Sequence, residues 1–97
     1  MKNLKKIKEI VAEHRDELKE KYKVKEIGIF GSYAREEAKK RSDLDVLVEL
    51  KEPISLLGLV RIENHLSEIL GIKVDLIPKK DIRPELRKAI LKEAIYL

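Results

Sequence analysis

An α/β fold, with helices packed on a small sheet, is what this sequence predicts. Charge-rich amphipathic stretches alternate with short aliphatic and β-branched runs, and glycine or proline punctuates several of the joins. The order along the chain is α-β-α-β-α-β-α, in one compact layer pair. At 97 residues the chain is expected to form a single domain over residues 1–97, since domains commonly run from about 50 to 250 residues.

Each element has its own signal. Leu4, Ile7, Ile10, Val11 and Leu18 recur at helical spacing, predicting an amphipathic helix from about Lys2 to Tyr22 with a charged outer face. His14 lies at the edge of that stripe and reads as a boundary residue. Val24 to Phe30 predicts a strand that stops at Gly31-Ser32. Good helix formers from Tyr33 to Lys40 predict a short helical segment with Ser32 at its N-cap. Asp43 to Leu50 is the clearest strand. Pro53 opens a helix over about Ile54 to Leu70, and Gly71 closes it. Ile72 to Ile77 predicts a third strand, and Asp81 with Pro84 suits the start of a last helix to about Tyr96.

Composition narrows the function classes. The absence of cysteine excludes disulfides and thiolate metal sites and fits a reducing compartment. No apolar run approaches the roughly 18 residues a membrane helix needs, and the Lys-rich start lacks the apolar stretch of a signal peptide. A soluble cytoplasmic protein with no membrane partner is expected. Lys and Arg number 22 against 18 Asp and Glu, a net charge of +4, largely alternating in sign along helical stretches. With three tyrosines and one phenylalanine, there is little to stack on nucleic-acid bases, so a DNA or RNA partner is not expected. A polyanion such as a triphosphate suits the basic balance.

Two elements carry the candidate chemistry. Asp43 and Asp45 stand two apart in a strand, and i and i+2 share a face. Paired carboxylates repel unless a cation lies between them, and Mg²⁺ favours such hard oxygen donors. Taken alone, the pair also reads as a turn residue followed by an exposed strand residue. Gly31-Ser32 lies between a strand and a helical turn, where backbone N–H groups can cradle phosphate. Alone, it also reads as an ordinary turn. If the first two strands are antiparallel neighbours, both elements share one sheet edge, with ten residues between Ser32 and Asp43. Asp75, within the otherwise apolar Ile72–Ile77, is a third acid. Buried in a central strand it would need a partner, for which a shared cation is the candidate. On a solvent face it would pair with Lys73 or Lys79. Three carboxylates suit a two-metal site, with Asp75 orienting or deprotonating an acceptor hydroxyl.

Gly31-Ser32-Tyr33-Ala34-Arg35, then Ser42-Asp43-Leu44-Asp45-Val46-Leu47-Val48, resembles the DNA-polymerase-β-type nucleotidyltransferase superfamily. The short length and the Ala34-Arg35 step resemble its minimal nucleotidyltransferase (MNT) branch, and the likeness spans essentially the whole chain. It implies a nucleotidyltransferase palm with a mixed β-sheet, binding one or two Mg²⁺ ions and ATP as substrate. Asp43 and Asp45 match the metal-binding pair, Asp75 the third acid, and Gly31 and Ser32 the phosphate-gripping turn. Arg35 either offsets phosphate charge or pairs with surface acids. The MNT branch also includes antitoxins that pair with HEPN-type toxins, some of which attach AMP to a tyrosine of that partner. The resemblance therefore implies an adenylyltransferase antitoxin, in hetero-oligomer with a HEPN-type toxin encoded nearby. The alternative is a catalytically weak or inactive antitoxin acting by contact alone. One position departs from the pattern: Glu36 stands where MNT chains usually have glycine. At positive φ it would cost roughly 1 kcal/mol or more; in a helix it would be an ordinary first-turn acid.

Overall fold

The apolar stripe near the start of the chain folds as helix α1, Leu4–Glu13, whose N-cap Asn3 accepts the Lys6 N–H through Oδ1 at 3.0 Å. The structure, a computed structural model, describes residues 3–97, so the expected start at Lys2 lies outside them. The single helix expected to reach Tyr22 is instead two, with α2 covering Arg15–Glu20. The joint is His14, at φ −105° and ψ 11°. Its N–H is shared between the carbonyls of Ile10 and Val11, at 3.3 and 3.1 Å. Such tightening closes a helix rather than propagating it.

A mixed four-stranded sheet forms the centre, in the order β3-β2-β1-β4. Strands β1 (Val24–Phe30) and β2 (Leu44–Leu50) are antiparallel neighbours. Strand β3 (Val74–Pro78) runs parallel to β2, and the connection is helix α3 (Leu56–Leu70), the crossover that parallel pairing requires. Helix α3 ends at Gly71 as expected, but it starts at Leu56, after the expected Ile54, because Ser55 is its N-cap. Ser55 Oγ accepts the Gly58 N–H at 3.1 Å, and Gly71 closes the helix at φ 66°.

Strand alternation divides the sheet's two faces. Leu44, Val46 and Val48, with Ile27 and Ile29, pack beneath Ile7, Val11 and Leu18 of the first two helices and Ile62, Leu66 and Leu70 of α3. On the opposite face Phe30 and Leu47 meet Ile82, with Ile77, Ile90, Leu91 and Ala94 around them. That second cluster is covered by α4 (Pro84–Glu93), which follows a 3₁₀ turn at Lys79–Asp81. Helices therefore lie on both faces, not in the single layer pair expected. No residue of α4 is fully buried, so this face is thinly covered.

The chain's end differs from the expected helix to Tyr96. Helix α4 stops at Glu93, and Ala94, at φ −58° and ψ 136°, turns the chain into β4 (Ile95–Tyr96). Pairing Ile29 with Ile95 and Gly28 with Tyr96 satisfies backbone groups on the open side of β1, which a longer helix would leave bare. The Leu97 N–H adds a bond to the Ile27 carbonyl at 2.9 Å.

Leu66 is fully enclosed between α3 and the sheet. Leu66→Ala is expected to lower unfolding free energy by about 2–5 kcal/mol, measured by guanidinium titration.

Candidate active site

At the end of β1 the chain makes one helical turn and stops. The Arg35 N–H reaches the Gly31 carbonyl at 3.1 Å, while Glu36 and Glu37 return their N–H groups to Tyr33 and Ser32 at 3.3 and 2.8 Å. The last two bonds are the 5→2 and 6→1 pair of a Schellman motif, which places Glu36 at the left-handed C′ position. Its φ is 60°. The expected helix from Tyr33 to Lys40 therefore does not form. Local helix propensity is overridden by a stop after one turn, at the position where MNT chains usually carry glycine. The N-cap also falls one residue earlier than expected, on Gly31, whose carbonyl accepts the first bond. Half-buried Ser32 thus lies inside the turn and is not its cap. Among the described residues, the N–H groups of Ser32, Tyr33 and Ala34 have no hydrogen-bond partner. They are the orphan donors of a first turn.

Gly31 has φ 74°, and a Cβ on it would collide with Asp45 Oδ2 and stand 3.0 Å from Asp45 Cγ. Glycine is required here by a carboxylate of the protein itself. The register explains the approach, because Phe30 pairs with Asp45 across the β1–β2 ladder. Asp45 in turn pairs with Asp75 across β2–β3, and Asp43 lies one residue before β2. Burial pushes the Asp45 carboxyl above its ordinary value, and the nearby charges of Asp75 and Asp43 push the same way; Arg35 opposes them. Asp75 does not stand in a central strand, the position expected for a buried acid. Strand β3 is an edge strand and Asp75 is exposed, so no burial cost forces it to find a partner. Among the described residues no three His, Cys, Asp or Glu side chains converge into a preformed metal cage.

Arg35 does pair with acids, in an arrangement the local sequence does not disclose. Its Nε meets Glu37 Oε1, and its Nη1 meets Glu93 Oε1 at 2.6 Å. The other Glu93 oxygen accepts the Gly31 N–H at 3.0 Å. These bonds hold the Glu93 carboxyl below its ordinary range, the Arg35 bond first and the Gly31 bond second. They also raise Arg35, whose largest partner is Glu93. Glu93 lies 62 residues from Gly31 and belongs to no motif, so sequence spacing had no signal for it.

A cleft of about 780 Å³ opens beside Asp43, with Lys40, Arg41 and Lys73 on its walls. Its rim is shaped by the Lys39–Ser42 loop, where the Lys39 N–H donates to Ser42 Oγ at 2.8 Å and the Ser42 N–H donates to the Lys39 carbonyl at 2.9 Å. His14 takes no part: it bonds the Ile10 carbonyl and meets the His65 ring edge-on.

A turn with free donors, set against repelling carboxylates and a basic cleft, is equipment for handling phosphate esters. The nucleotidyltransferase domain family matches residues 11–97, and the chain belongs to that family. A candidate protein adenylyltransferase of Methanocaldococcus jannaschii is 58% identical over 98 aligned positions, spanning the whole of both chains. The protein adenylyltransferase MntA of Thermococcus cleftensis is 42% identical over 97 positions, covering 100% of this chain and 98% of that one. A solved candidate minimal nucleotidyltransferase is 34% identical, with TM-score 0.76 over 94% of this chain and 95% of its own. A toxin–antitoxin crystal structure with AMP-PNP shares the fold at 21% identity, with TM-score 0.74 over 93% of this chain and 70% of that chain.

Two stability measurements follow. Glu36→Gly is expected to raise unfolding free energy by about 1 kcal/mol in denaturant titration, because it relieves a left-handed side chain. Asp45→Asn is expected to melt higher than the parent in metal-free buffer at neutral pH, because it removes a charge that burial and its neighbours disfavour. Since the folded-state value of Asp45 lies above 3.8, its ionisation erodes stability as pH rises through that value. The gain from Asp45→Asn should therefore vanish in acid, where Asp45 is protonated.

Proposed function

We propose that this protein transfers AMP from Mg²⁺-bound ATP to a hydroxyl, a tyrosine in the first instance, of a partner protein, and thereby neutralises a HEPN-type toxin. The observation that carries this reading is the close approach of Asp45 to Gly31, at the start of the Gly31–Glu37 turn. It joins a cation-seeking carboxylate to a set of free phosphate donors. The adenylyltransferase names of full-length relatives and the toxin–antitoxin assembly that shares the fold support the choice of reaction and partner. That assembly is matched in fold at 21% identity, and the toxin partner is carried over from it only as part of this proposal.

The donor set fits Mg²⁺. Asp45, flanked by Asp75 and Asp43, offers only hard oxygens, and their mutual repulsion is relieved by a divalent ion. Mg²⁺ commonly takes one or two carboxylates and fills its remaining positions with water and phosphate, so no preformed cage is needed. When bound, it supplies charge neutralisation at the reacting phosphate. The protein's own groups do the rest. The Ser32 hydroxyl, the free N–H groups of the turn and the Arg35 guanidinium bind the outer phosphates and orient the α-phosphate. The acceptor oxygen forms a bond to the α-phosphorus as the α–β P–O bond breaks, and pyrophosphate leaves. Asp75, exposed at the sheet edge beside Asp45, orients the acceptor hydroxyl and accepts its proton.

The test is incubation of the purified chain and its genomically adjacent partner with α-labelled ATP and Mg²⁺. Label is expected on the partner, and Asp43→Asn or Asp45→Asn should reduce it by roughly a hundredfold or more while the variants still fold. Labelling that survives both substitutions would refute the metal role. The contact-only antitoxin is favoured by one observation, the gathering of Glu36, Glu37 and Glu93 around the turn that should receive a polyanion. It requires toxin neutralisation to be indifferent to ATP, Mg²⁺ and Asp43→Asn.

A further inference from the structure

We infer that Glu93 is a positioning residue for nucleotide binding, tying the backbone of Gly31 to the guanidinium of Arg35 and so presetting the phosphate-gripping turn. This rests on the nucleotide reading of the Gly31–Glu37 turn given above.

The geometry begins in the sheet. Along β1, Ile27 and Ile29 direct their backbone groups toward the chain's end, through the Leu97 bond and the Ile95 pairing. Gly31 has the same alternation, so its N–H faces the same side, beyond the point where β4 can answer it. Glu93 Oε2 supplies the missing acceptor at 3.0 Å. The ladder is completed by a side chain from the last turn of α4.

The second oxygen of the same carboxylate takes Arg35 Nη1 at 2.6 Å, and Glu37 holds Nε. A guanidinium has five N–H donors. The two carboxylates engage one on Nε and one on Nη1, leaving Nη2 wholly free for a phosphate. Arg35 is half-exposed, and a free arginine at that exposure would have to be ordered by the ligand itself. A side chain already fixed by two charged acceptors loses less freedom on binding. Because one rigid carboxylate grips both backbone and side chain, the Arg35 guanidinium stays in register with the free N–H groups of Ser32, Tyr33 and Ala34.

A rival role is open to the same contacts: Glu93 could act as an internal anion that keeps phosphate out. The two roles differ in sign. The experiment measures ATP dissociation constants with Mg²⁺ by calorimetry on the full chain for the parent, E93A, E93Q, R35A and the R35A/E93A double variant, with melting curves confirming the folded state. Positioning requires E93A to weaken ATP by roughly tenfold or more, the scale of a lost charge-assisted contact. It requires E93Q, whose single amide oxygen can serve Gly31 or Arg35 but not both, to recover only part of that loss. The double variant should lose less than the sum of the two single losses, since part of the Glu93 effect runs through Arg35 and part through the Gly31 N–H. An amide spectrum without ATP reads the tether directly: the Gly31 resonance should shift and exchange faster in E93A than in E93Q. The inference is overturned if E93A and E93Q bind ATP as tightly as the parent, or tighter. A parent with no affinity for ATP would overturn the nucleotide reading as well.

Discussion

Gly31 has no side chain, and the space a side chain would fill is where Asp45 sits. That one close approach fixes the relation between the two halves of the site. It depends on the Phe30–Asp45 pairing at the last rung of the β1–β2 ladder and on the positive φ of Gly31. Any residue with a Cβ would have to move the carboxylate, the strand end or the turn. The unpaired N–H groups of the turn and the carboxylate of Asp45 are thus held side by side by a steric condition, without a bond between them. The glycine that sequence logic assigns to a ligand's approach is needed first for the protein's own acid.

The rest of the fold serves that edge. The face carrying Leu44, Val46 and Val48 is packed under three helices and supplies most of the buried core. The face carrying Leu47 is covered only by α4, and Asp45 and Asp75 share its strand alternation. Thick packing on one side holds the strands in register, while thin packing on the other leaves their acidic end open to solute. Asp45 is partly withdrawn from water next to two like neighbours, a condition that costs stability when it is ionised.

Much of this was legible in the sequence. The antiparallel pairing of the first two strands was legible only as a condition, which the ladder meets, and Gly71 marked the end of α3, while its start falls at Leu56, about two residues after the position Pro53 suggested. What could not be read was decided by tertiary contacts or by a masked stop. Glu36 fills a left-handed C′ position without glycine's signature, so Tyr33 to Lys40 looked helical. Ile95-Tyr96 continues a plausible helical stripe, and only the open edge of β1 turns it into a strand. Asp75 looked like a central-strand acid because sequence does not reveal strand order. Glu93 was invisible for a simpler reason: its partners are distant in the chain, and nothing in the spacing of a helix terminus announces a hydrogen bond to a glycine N–H.

The distribution of acids around the turn resolves an apparent contradiction, that a site for a polyanion is ringed by carboxylates. They fall into two groups. Glu37 and Glu93 share the one charge of Arg35, and Glu93 also accepts the Gly31 N–H, so their charge at the turn is partly offset. Asp43, Asp45 and Asp75 form no hydrogen bond or ion pair with one another's neighbours among the described residues, and burial and crowding press on Asp45. In the proposed reading, a triphosphate arriving alone would meet three carboxylates at the strand ends that no ion pair neutralises among the described residues. A triphosphate arriving with its divalent cation brings positive charge to the acids and negative charge to the donors in one step. Under the proposed reading, the arrangement would favour the metal–nucleotide pair over either component alone, because the acids at the strand ends have no cation of the protein's own bonded to them.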